Sequence, residues 1–282
     1  MPIQHISDTA LLTAYARATE SDRHDALFRD KYARALAGDR GAELARETKA
    51  FATIANSVAC RTCVFDDLLL RLVRREGVDL VLNLGAGVDT RPWRLDLPPS
   101  LKWVDVDLPE ILAYKRERVG EQTARCQYER HPADLSIKAE LSAAIGSAAH
   151  ARKALILSEG ILVYLTEEDV ASLAAELYGQ SAIGWWLTDI AGPKALPMMA
   201  KAWGELLAGA QYQFAPTNPV AFFGARGWQE VEFRSAHVEA HRLGRARGSG
   251  LLGRLLWGIV PVKMKTEIHR LAGVAIFRRM DA

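Results

Sequence analysis

The segment VLNLGAGVDT (Val81–Thr90) carries the clearest structural signal in this 282-residue chain. It begins as an almost unbroken apolar run, short enough for a strand buried on both faces of a parallel sheet. It continues into Gly85-Ala86-Gly87, and glycines there let the backbone turn sharply and approach a ligand closely. This combination predicts a nucleotide-like ligand at the carboxyl edge of an α/β sheet.

An acidic residue follows the glycine loop at a spacing typical of ribose recognition. Asp107 ends the next predicted strand, 22 residues after Gly85. These features alone fit a nicotinamide dinucleotide as well as S-adenosylmethionine (SAM). Thr90 stands where a dinucleotide fingerprint has its third glycine or alanine, and Asp89 adds a carboxylate where a pyrophosphate prefers a bare helix N-terminus. SAM carries a sulfonium and an amino group, so the acidic loop favours SAM.

Strands and helices are predicted to alternate after an all-helical start. Residues 8–75 are predicted to be helical, with Ser7 or Asp8 as the first N-cap and a second helix over Glu43–Arg75. Further helices are predicted over Pro109–Gly120 and after Thr166, which forms a capping box with Asp169. The predicted strands are Val78–Leu84, Leu101–Val106, Cys126–His131, Ala154–Ser158, Ile183–Ile190, Trp228–Phe233 and Gly273–Arg279, the last two as an antiparallel edge.

This alternation predicts a doubly wound, Rossmann-like α/β fold with a seven-stranded sheet. We expect a single domain made of four parts. These are a helical cap (1–76), a cofactor-binding core (77–190), a lid insertion (191–227) with a helical MMAKAW pattern, and the C-terminal strands (228–282).

Composition excludes several classes of protein. The net charge of +2 gives no electrostatic reason to bind nucleic acid, so small or weakly charged partners are expected. The N-terminus lacks a signal peptide and no apolar run spans a bilayer, so we expect a cytoplasmic protein without stable membrane insertion. The segment 242–262 is basic and then apolar. It could lie on a membrane surface, but such a segment is more often a solvated loop before a core-facing helix. The oligomeric state stays open.

The three cysteines predict neither a disulfide framework nor a metal site. Cys60 and Cys63 form a C-x-x-C pair, which could be redox-active or half of a zinc site. Zinc would need two further ligands, and Cys126 stands alone. We therefore expect two thiols on one helix face in a reducing compartment.

Four segments resemble the leucine carboxyl methyltransferase family. They are NLGAGVDTRPWRL (83–95), VDVDLPEILAYKR (104–116), ADL (133–135) and SEGILVYL (158–165), with further likeness at 7–10 and 59–62. The likeness covers about residues 7–190. The likeness is stronger to the bacterial branch associated with polyketide O-methylation (the tetracenomycin type) than to the phosphatase-modifying eukaryotic branch. The eukaryotic branch carries a lysine a few residues after the segment that resembles 7–10, and the matching place in this sequence is near Thr13.

The resemblance implies a seven-stranded methyltransferase sheet with SAM as cofactor. Gly85 and Gly87 would pass the backbone under the methionine end of SAM. Asp107 would accept hydrogen bonds from the ribose hydroxyls, and Asp105, two residues earlier on the same strand face, is the competing candidate.

The remaining implied contacts surround the adenine and the methionine moiety. Asp134 would accept from the exocyclic amine and Leu135 would cover a ring face. Arg61 would pair with the methionine carboxylate, since guanidinium and carboxylate match as two forks. Glu159 would meet the ligand amine or the reaction edge. Structural alternatives are a turn residue for Asp134 and a helix N-terminal charge for Glu159.

The acceptor side is less well defined by the sequence. Tyr164 could orient an acceptor oxygen as the catalytic residue, or pack as a core tyrosine. Trp203 and Tyr212 could line an apolar acceptor pocket or pack the insertion onto the sheet. Four histidines could fold over the crevice, although none falls in a diagnostic motif: His5, His24, His237 and His241.

We therefore expect a SAM-dependent O-methyltransferase acting on a carboxyl or hydroxyl oxygen of a small, aromatic or polyketide-like metabolite. A carboxylate acceptor needs no base, whereas a phenol with a pKa near 10 would gain from one. The alternative is an NAD(P)-dependent oxidoreductase, which leaves Arg61, Asp134 and Glu159 unexplained. A binding protein that has lost its acceptor site is the third hypothesis.

Overall fold

One seven-stranded sheet organises the chain. The computed structural model describes residues 3–203, 212–246 and 261–281. The strand order is β3-β2-β1-β4-β5-β7-β6; β1 to β5 are parallel, and β7 is antiparallel to both of its neighbours. The strands are β1 (Leu80–Leu84), β2 (Lys102–Asp107), β3 (Gln127–Pro132), β4 (Ala154–Ser158), β5 (Ile183–Ala191), β6 (Trp228–Ser235) and β7 (Ala272–Arg279).

Helices precede the sheet and connect its strands. In the described residues they are α1 (Ile3–Ser21), α2 (Ala33–Glu47), α3 (Phe51–Arg75), α4 (Arg91–Arg94), α5 (Pro109–Val119), α6 (Lys138–Gly146), α7 (Glu167–Gly179), α8 (Leu196–Trp203), α9 (Pro219–Gly224), α10 (Ala236–Arg242) and α11 (Val262–His269). None of these helices is long and apolar enough to cross a membrane.

The central strands β1 and β4 are buried on both faces because they are apolar at nearly every position. Side chains alternate across a strand. Leu80, Leu82 and Leu84 therefore join a core cluster with α6 and α7, while Val81 joins the opposite cluster, built on α3. The expected doubly wound α/β fold with seven strands is confirmed, as is the antiparallel pairing of the last two strands with each other.

The N-terminal helices pack over the loop that follows β1. Val88 and Trp93 form a cluster with residues of α1 and α2. Arg17 of α1 donates to the carbonyl oxygen of Val88 at 2.8 Å. Helices α1 and α2 are thus attached to the glycine loop itself.

Two predictions about the N-terminal helices are wrong. Helix α1 already runs through Ser7 and Asp8, so neither is its N-cap; no glycine or proline interrupts residues 3–8. The predicted helix Glu43–Arg75 is two helices, because Thr48 leaves the helical conformation with ψ of 101°. Its hydroxyl donates to the Leu44 carbonyl at 2.7 Å, a local bond that competes with continued helix.

Predictions from apolar runs and capping residues hold better. Each predicted strand is present within two residues of its expected bounds, and Thr166 forms the expected capping box with Asp169. In the basic segment, residues 247–260 lie outside the described residues. Arg245 is buried against Glu20, so the expectation of a solvated loop is wrong there. A long side chain with a bidentate partner is stabilised in a buried position.

A buried ion pair anchors the centre of β2. Asp105 and Lys115 are 0% and 1% exposed, and the Lys115 ammonium lies 2.6 Å from the Asp105 carboxylate. Asp105 also accepts from Asn83, Trp103 and Tyr128. These donors fully enclose the Asp105 carboxylate, so Asp105 is a core residue. The prediction that Asp105 competes with Asp107 as the ribose-binding residue is therefore wrong.

We expect Lys115→Met to reduce the free energy of unfolding by about 3–5 kcal/mol, because it leaves the Asp105 charge buried without its partner. The matched control is Lys102→Met; Lys102 lies on β2, and its pair with Glu129 is 41% and 56% exposed. The control should cost at most about 1 kcal/mol. Urea unfolding of the two variants measures this difference, and equal losses would contradict the account.

Candidate functional site

The carboxyl ends of β1 and β4 define a crevice. These strands are neighbours, and the strand order runs outward from them in opposite directions. In open α/β sheets ligands bind at such a switch point. The glycine loop follows β1 and the segment Glu159-Gly160 follows β4, so both predicted segments meet there.

The two glycines of the loop adopt conformations that other residues rarely adopt. Gly85 has φ of +64° and Gly87 has φ of +48°, which strain any L side chain. A Cβ added to Gly85 would meet the side chain of Ile161 at 2.7 Å, whereas one added to Gly87 would meet nothing within 4 Å. The backbone at Gly87 therefore borders open space.

Asp107 lies next to this space at the end of β2. One carboxylate oxygen accepts from the Gly87 N–H at 2.6 Å and the other from the Leu108 N–H at 2.7 Å. Burial raises the pKa of Asp107. Each carboxylate oxygen can accept more than one hydrogen bond, so the Asp107 carboxylate can still accept hydrogen bonds from the two hydroxyls of a diol.

Arg61 reaches the crevice from α3 and contacts two carboxylates. Its Nη1 donates to Asp189 Oδ2 at 3.1 Å. Its Nε lies 2.9 Å from Glu159 Oε1 as an ion pair without hydrogen-bonding geometry. This buried nitrogen therefore lacks a hydrogen-bond partner among the residues that the structure describes.

Arg91 is the centre of the site, and sequence analysis did not identify it. Its side chain is 4% exposed and contacts three carboxylates, those of Asp66, Asp89 and Glu159, each at 2.7 Å. These come from α3, from the glycine loop and from the segment after β4. The only sequence signal of Arg91 is a basic residue just after the loop, in a segment that also contains Asp89 and Arg94, so its distant partners could not be predicted. Asp189, near the end of β5, was also missed, because one acidic residue in a mostly apolar strand belongs to no motif.

Asp134 and Leu135 follow β3 along the same edge. Asp134 Oδ1 accepts from the Ser136 N–H and hydroxyl at 2.9 and 2.7 Å, so the side chain closes a turn before α6. Leu135 is half-buried against the core cluster of α6 and α7. Asp134 can close this turn and still bind an adenine, because both hydrogen bonds from Ser136 use the same carboxylate oxygen, Oδ1.

A cavity of about 640 Å³ opens beside Arg61 and Asp189. It lies between α3, α8, α10 and the ends of β5 and β7, with mostly apolar walls. Its size is that of pockets for drug-sized ligands. Its apolar walls include Val64, Val163, Met199, Trp203 and Phe214.

Only some of the other residues predicted for the acceptor side line this cavity. Tyr164 packs against Tyr212 with ring centroids 5.4 Å apart and ring planes tilted by 38°, and neither residue lines the cavity. Burial raises the pKa of Tyr164, so its phenol stays protonated at neutral pH. His237 and His241 line the cavity.

The remaining predicted histidines and cysteines lie elsewhere. The side chain of His24 is almost fully exposed, and that of His5 lies outside the described residues. Cys60 and Cys63 both lie on α3, and burial raises the pKa of Cys60 to about 12. No group of three or more potential metal ligands occurs in the described ranges.

Comparisons with known proteins agree with this architecture. A DUF574 family protein from Streptomyces avermitilis has a TM-score of 0.60 at 15% identity, covering 96% of this chain and 97% of its own. A "putative methyltransferase" from Thermobifida fusca has a TM-score of 0.53 at 17% identity, covering 94% of each chain. The fold is therefore that of the α/β methyltransferases.

Similarity in sequence assigns the chain to a family. A profile of the leucine carboxyl methyltransferase family matches residues 10–178, and this chain belongs to that family. A Frankia alni protein named "putative S-adenosyl-L-methionine-dependent methyltransferase" is 31% identical over 240 residues, covering 80% of this chain and 83% of its own. A Parafrankia protein of the same name is 36% identical over 254 residues, covering 83% and 80%.

The Arg91 cluster makes stability depend on pH. Burial acts to raise the pKa of Asp89, but the charges of Arg91, Lys115 and Arg94 outweigh it and hold that pKa well below its usual range. A carboxyl whose folded-state pKa is depressed contributes fully above the unfolded-state pKa, near 4. That contribution is lost as the pH falls from about 4 toward the folded-state pKa.

We expect Asp89→Asn to flatten the acid limb of the stability profile. Between pH 5 and 3 its free energy of unfolding should fall less steeply than that of the wild type, by at most about 1.4 kcal/mol per pH unit for one proton. Asp96→Asn, whose side chain is 86% exposed, is the matched surface control. Urea unfolding at each pH measures the slopes. Identical slopes for the wild type and Asp89→Asn would contradict the assignment.

Proposed function

We propose that this protein is a SAM-dependent O-methyltransferase that acts on a carboxyl or hydroxyl oxygen of a small, largely apolar metabolite. The observation that carries the proposal is the convergence of the glycine loop, Asp107, Arg61 and Glu159 at one edge of the sheet, beside an apolar cavity. The family and the named relatives support SAM and methyl transfer. They do not favour the nicotinamide-dependent oxidoreductase.

The residues of the crevice fit SAM by their chemistry. The open space over Gly87 and the buried Nε of Arg61, which makes no hydrogen bond within the described residues, are features that a bound ligand would explain. The ion network beside them sets the carboxylates of Asp66, Asp89, Glu159 and Asp189 against the guanidinium groups of Arg61, Arg91 and Arg94. With four negative and three positive groups, it suits a ligand that carries a sulfonium and an amine.

Each part of SAM has a matching group in this proposal. Gly85 and Gly87 border the methionine end, and Asp107 accepts from the ribose hydroxyls. Arg61 pairs with the methionine carboxylate, and Glu159 faces the amine. Asp134 and Leu135 hold the adenine.

When bound, SAM supplies an electrophilic methyl group on its sulfonium. The protein has to align the acceptor oxygen with that carbon and exclude water, because such a displacement needs little covalent help. Val163 and Phe214 lie at the apolar wall of the cavity and keep water out. Tyr164 does not line the cavity and its phenol stays protonated at neutral pH, so in this proposal it does not act as a base.

The resemblance to the tetracenomycin-type branch supports an aromatic or polyketide-like acceptor and a role in polyketide biosynthesis. The cytoplasmic location expected from the sequence is part of the same proposal. The division into cap (1–76), core (77–190), lid (191–227) and C-terminal strands (228–282) belongs to this proposal. In it, α8 with Trp203 forms part of the lid beside the cavity.

We expect Asp107→Asn to weaken SAM binding about 10- to 100-fold, because hydrogen bonds to a charged group contribute about 1.5–3 kcal/mol. Calorimetric titration with SAM measures the change, with Asp96→Asn as a control that should bind like the wild type. Melting temperatures without ligand check that both variants are folded. Wild-type affinity in a folded Asp107→Asn variant would contradict the proposed binding site.

A further inference from the structure

Arg91 donates one hydrogen bond across the crevice, from the glycine loop side to the segment after β4. This bond runs from its Nη2 to Glu159 Oε2 at 2.7 Å. The other two nitrogens are held by carboxylates: Nε donates to Asp66 Oδ1 and Nη1 to Asp89 Oδ2, each at 2.7 Å. A guanidinium is a rigid planar fork, so two fixed nitrogens also fix the direction of the third. Arg91 therefore sets the position of Glu159.

The two carboxylates that orient Arg91 are themselves held in place. Asp66 accepts from both terminal nitrogens of Arg94, at 2.5 and 2.7 Å. Asp89 also accepts from the Arg91 backbone N–H at 2.8 Å and from the Asn83 side-chain amide at 3.3 Å. The Arg91 side chain is 4% exposed, so water has little access to these bonds. The Nη2 of Arg91 thus has a fixed position at the crevice.

The other oxygen of Glu159 faces Arg61, and this pair is incomplete. Arg61 Nε lies 2.9 Å from Glu159 Oε1 without hydrogen-bonding geometry, and this nitrogen is buried. Among the described residues, the bond from Arg91 is the only hydrogen bond that the Glu159 carboxylate accepts. A donor and an acceptor therefore lie side by side without bonding to each other. Both remain available to a ligand.

The amino-acid end of SAM has the two groups that complete this pair. Its carboxylate can accept from Arg61, and its ammonium can donate to Glu159 Oε1. The exchange keeps the charges balanced, because each side gains an opposite charge as the contact between Arg61 and Glu159 is given up. Glu159 has to stay in place during this exchange, and the bond from Arg91 to its Oε2 holds it there.

We propose that Arg91 is a positioning residue for the amine of the cofactor: it holds Glu159 by Oε2, so that Oε1 can leave Arg61 and accept from the ammonium. The inference rests on the proposed function and adds to it a residue that does not touch the ligand. Without the Nη2 bond, both oxygens of Glu159 can pair with Arg61 as two matching forks. No oxygen then remains for the amine. Arg91 thereby makes the site selective for an amino-acid end over a carboxylate alone.

Two thioethers that differ only in the amine test this inference. S-Adenosylhomocysteine has an amine and a carboxylate, and its deamino analogue keeps the carboxylate alone. Calorimetric titration of the wild type at pH 7 gives the ratio of their affinities. We expect S-adenosylhomocysteine to bind about 10-fold or more tightly, because hydrogen bonds between charged groups are among the strong ones. Equal affinities overturn the inference. Failure to bind S-adenosylhomocysteine at all is a different result, which counts against the proposed function and removes the inference with it.

Arg91→Lys keeps the charge but replaces the planar fork by a single ammonium, which cannot hold Asp66, Asp89 and Glu159 in one arrangement. The affinity ratio should fall toward one, a loss of about 10-fold. A merely structural defect would weaken both thioethers alike and leave the ratio unchanged. An unchanged ratio in folded Arg91→Lys therefore overturns the inference.

A double-variant cycle shows whether Arg91 acts through Glu159. Glu159→Gln removes the charge that accepts from the amine, so its affinity ratio should already be low. Arg91→Lys should then lower the ratio no further, because the two residues belong to one interaction. A further fall in the double variant, equal to that in Arg91→Lys alone, overturns the inference.

The matched control is Arg94→Lys. Arg94 lies on the same short helix, its side chain is 5% exposed, and its hydrogen bonds go to Asp66 rather than to Glu159. Arg94→Lys removes a buried fork of the same kind and should leave the affinity ratio unchanged, even where it lowers the free energy of unfolding. An equal fall of the ratio in Arg94→Lys and Arg91→Lys overturns the inference.

A crystal structure of the wild type with S-adenosylhomocysteine decides the matter even if Arg91→Lys does not fold. We expect Glu159 Oε2 to remain on Arg91 Nη2 and Oε1 to contact the amine instead of Arg61. A Glu159 side chain that has left Arg91, or an amine that binds elsewhere, overturns the inference.

Discussion

The buried guanidinium of Arg91 is the constraint on which the site depends. Its three nitrogens contact carboxylates of α3, the glycine loop and the segment after β4. A buried charge of this kind persists only if its partners stay in place, because removal of one leaves another unpaired. The loops after β1 and β4 are therefore held in one relative position, and the crevice between them is formed before any ligand binds.

The same network connects the crevice to the cavity. Glu159 contacts Arg91 with one oxygen and Arg61 with the other, and Arg61 in turn contacts Asp189. Groups that border the crevice and groups that line the cavity thus belong to one chain of ion pairs. Charge-assisted bonds of this kind fix side-chain geometry as well as contributing energy, which is what an aligned displacement requires.

Burial, rather than residue type, separates the roles of similar side chains. Asp105 and Asp107 lie two residues apart on one strand. Asp105 is enclosed by Lys115 and three further donors, whereas Asp107 at the strand end accepts from two backbone N–H groups beside open space. Sequence spacing alone left both as candidates for ribose binding.

The sequence predicted those features that depend on local patterns. Buried parallel strands are apolar runs, and the capping box of Thr166 needs only its neighbour Asp169, so both could be found. The break at Thr48 was missed, because no glycine or proline marks it in the sequence.

Long-range ion pairs could not be predicted in the same way. Arg91 meets Glu159 across 68 residues and Arg61 meets Asp189 across 128. No periodicity encodes such pairs. They become visible only when the sheet brings the strand ends together.

Binding of SAM by this protein is tested most directly by thermal-shift measurements on the wild type with SAM, S-adenosylhomocysteine, NAD and NADP. A ligand raises the melting temperature only if it binds the folded state preferentially. We expect SAM and S-adenosylhomocysteine to raise it and the two dinucleotides to leave it unchanged. Stabilisation by a dinucleotide, with none by SAM, would contradict the account.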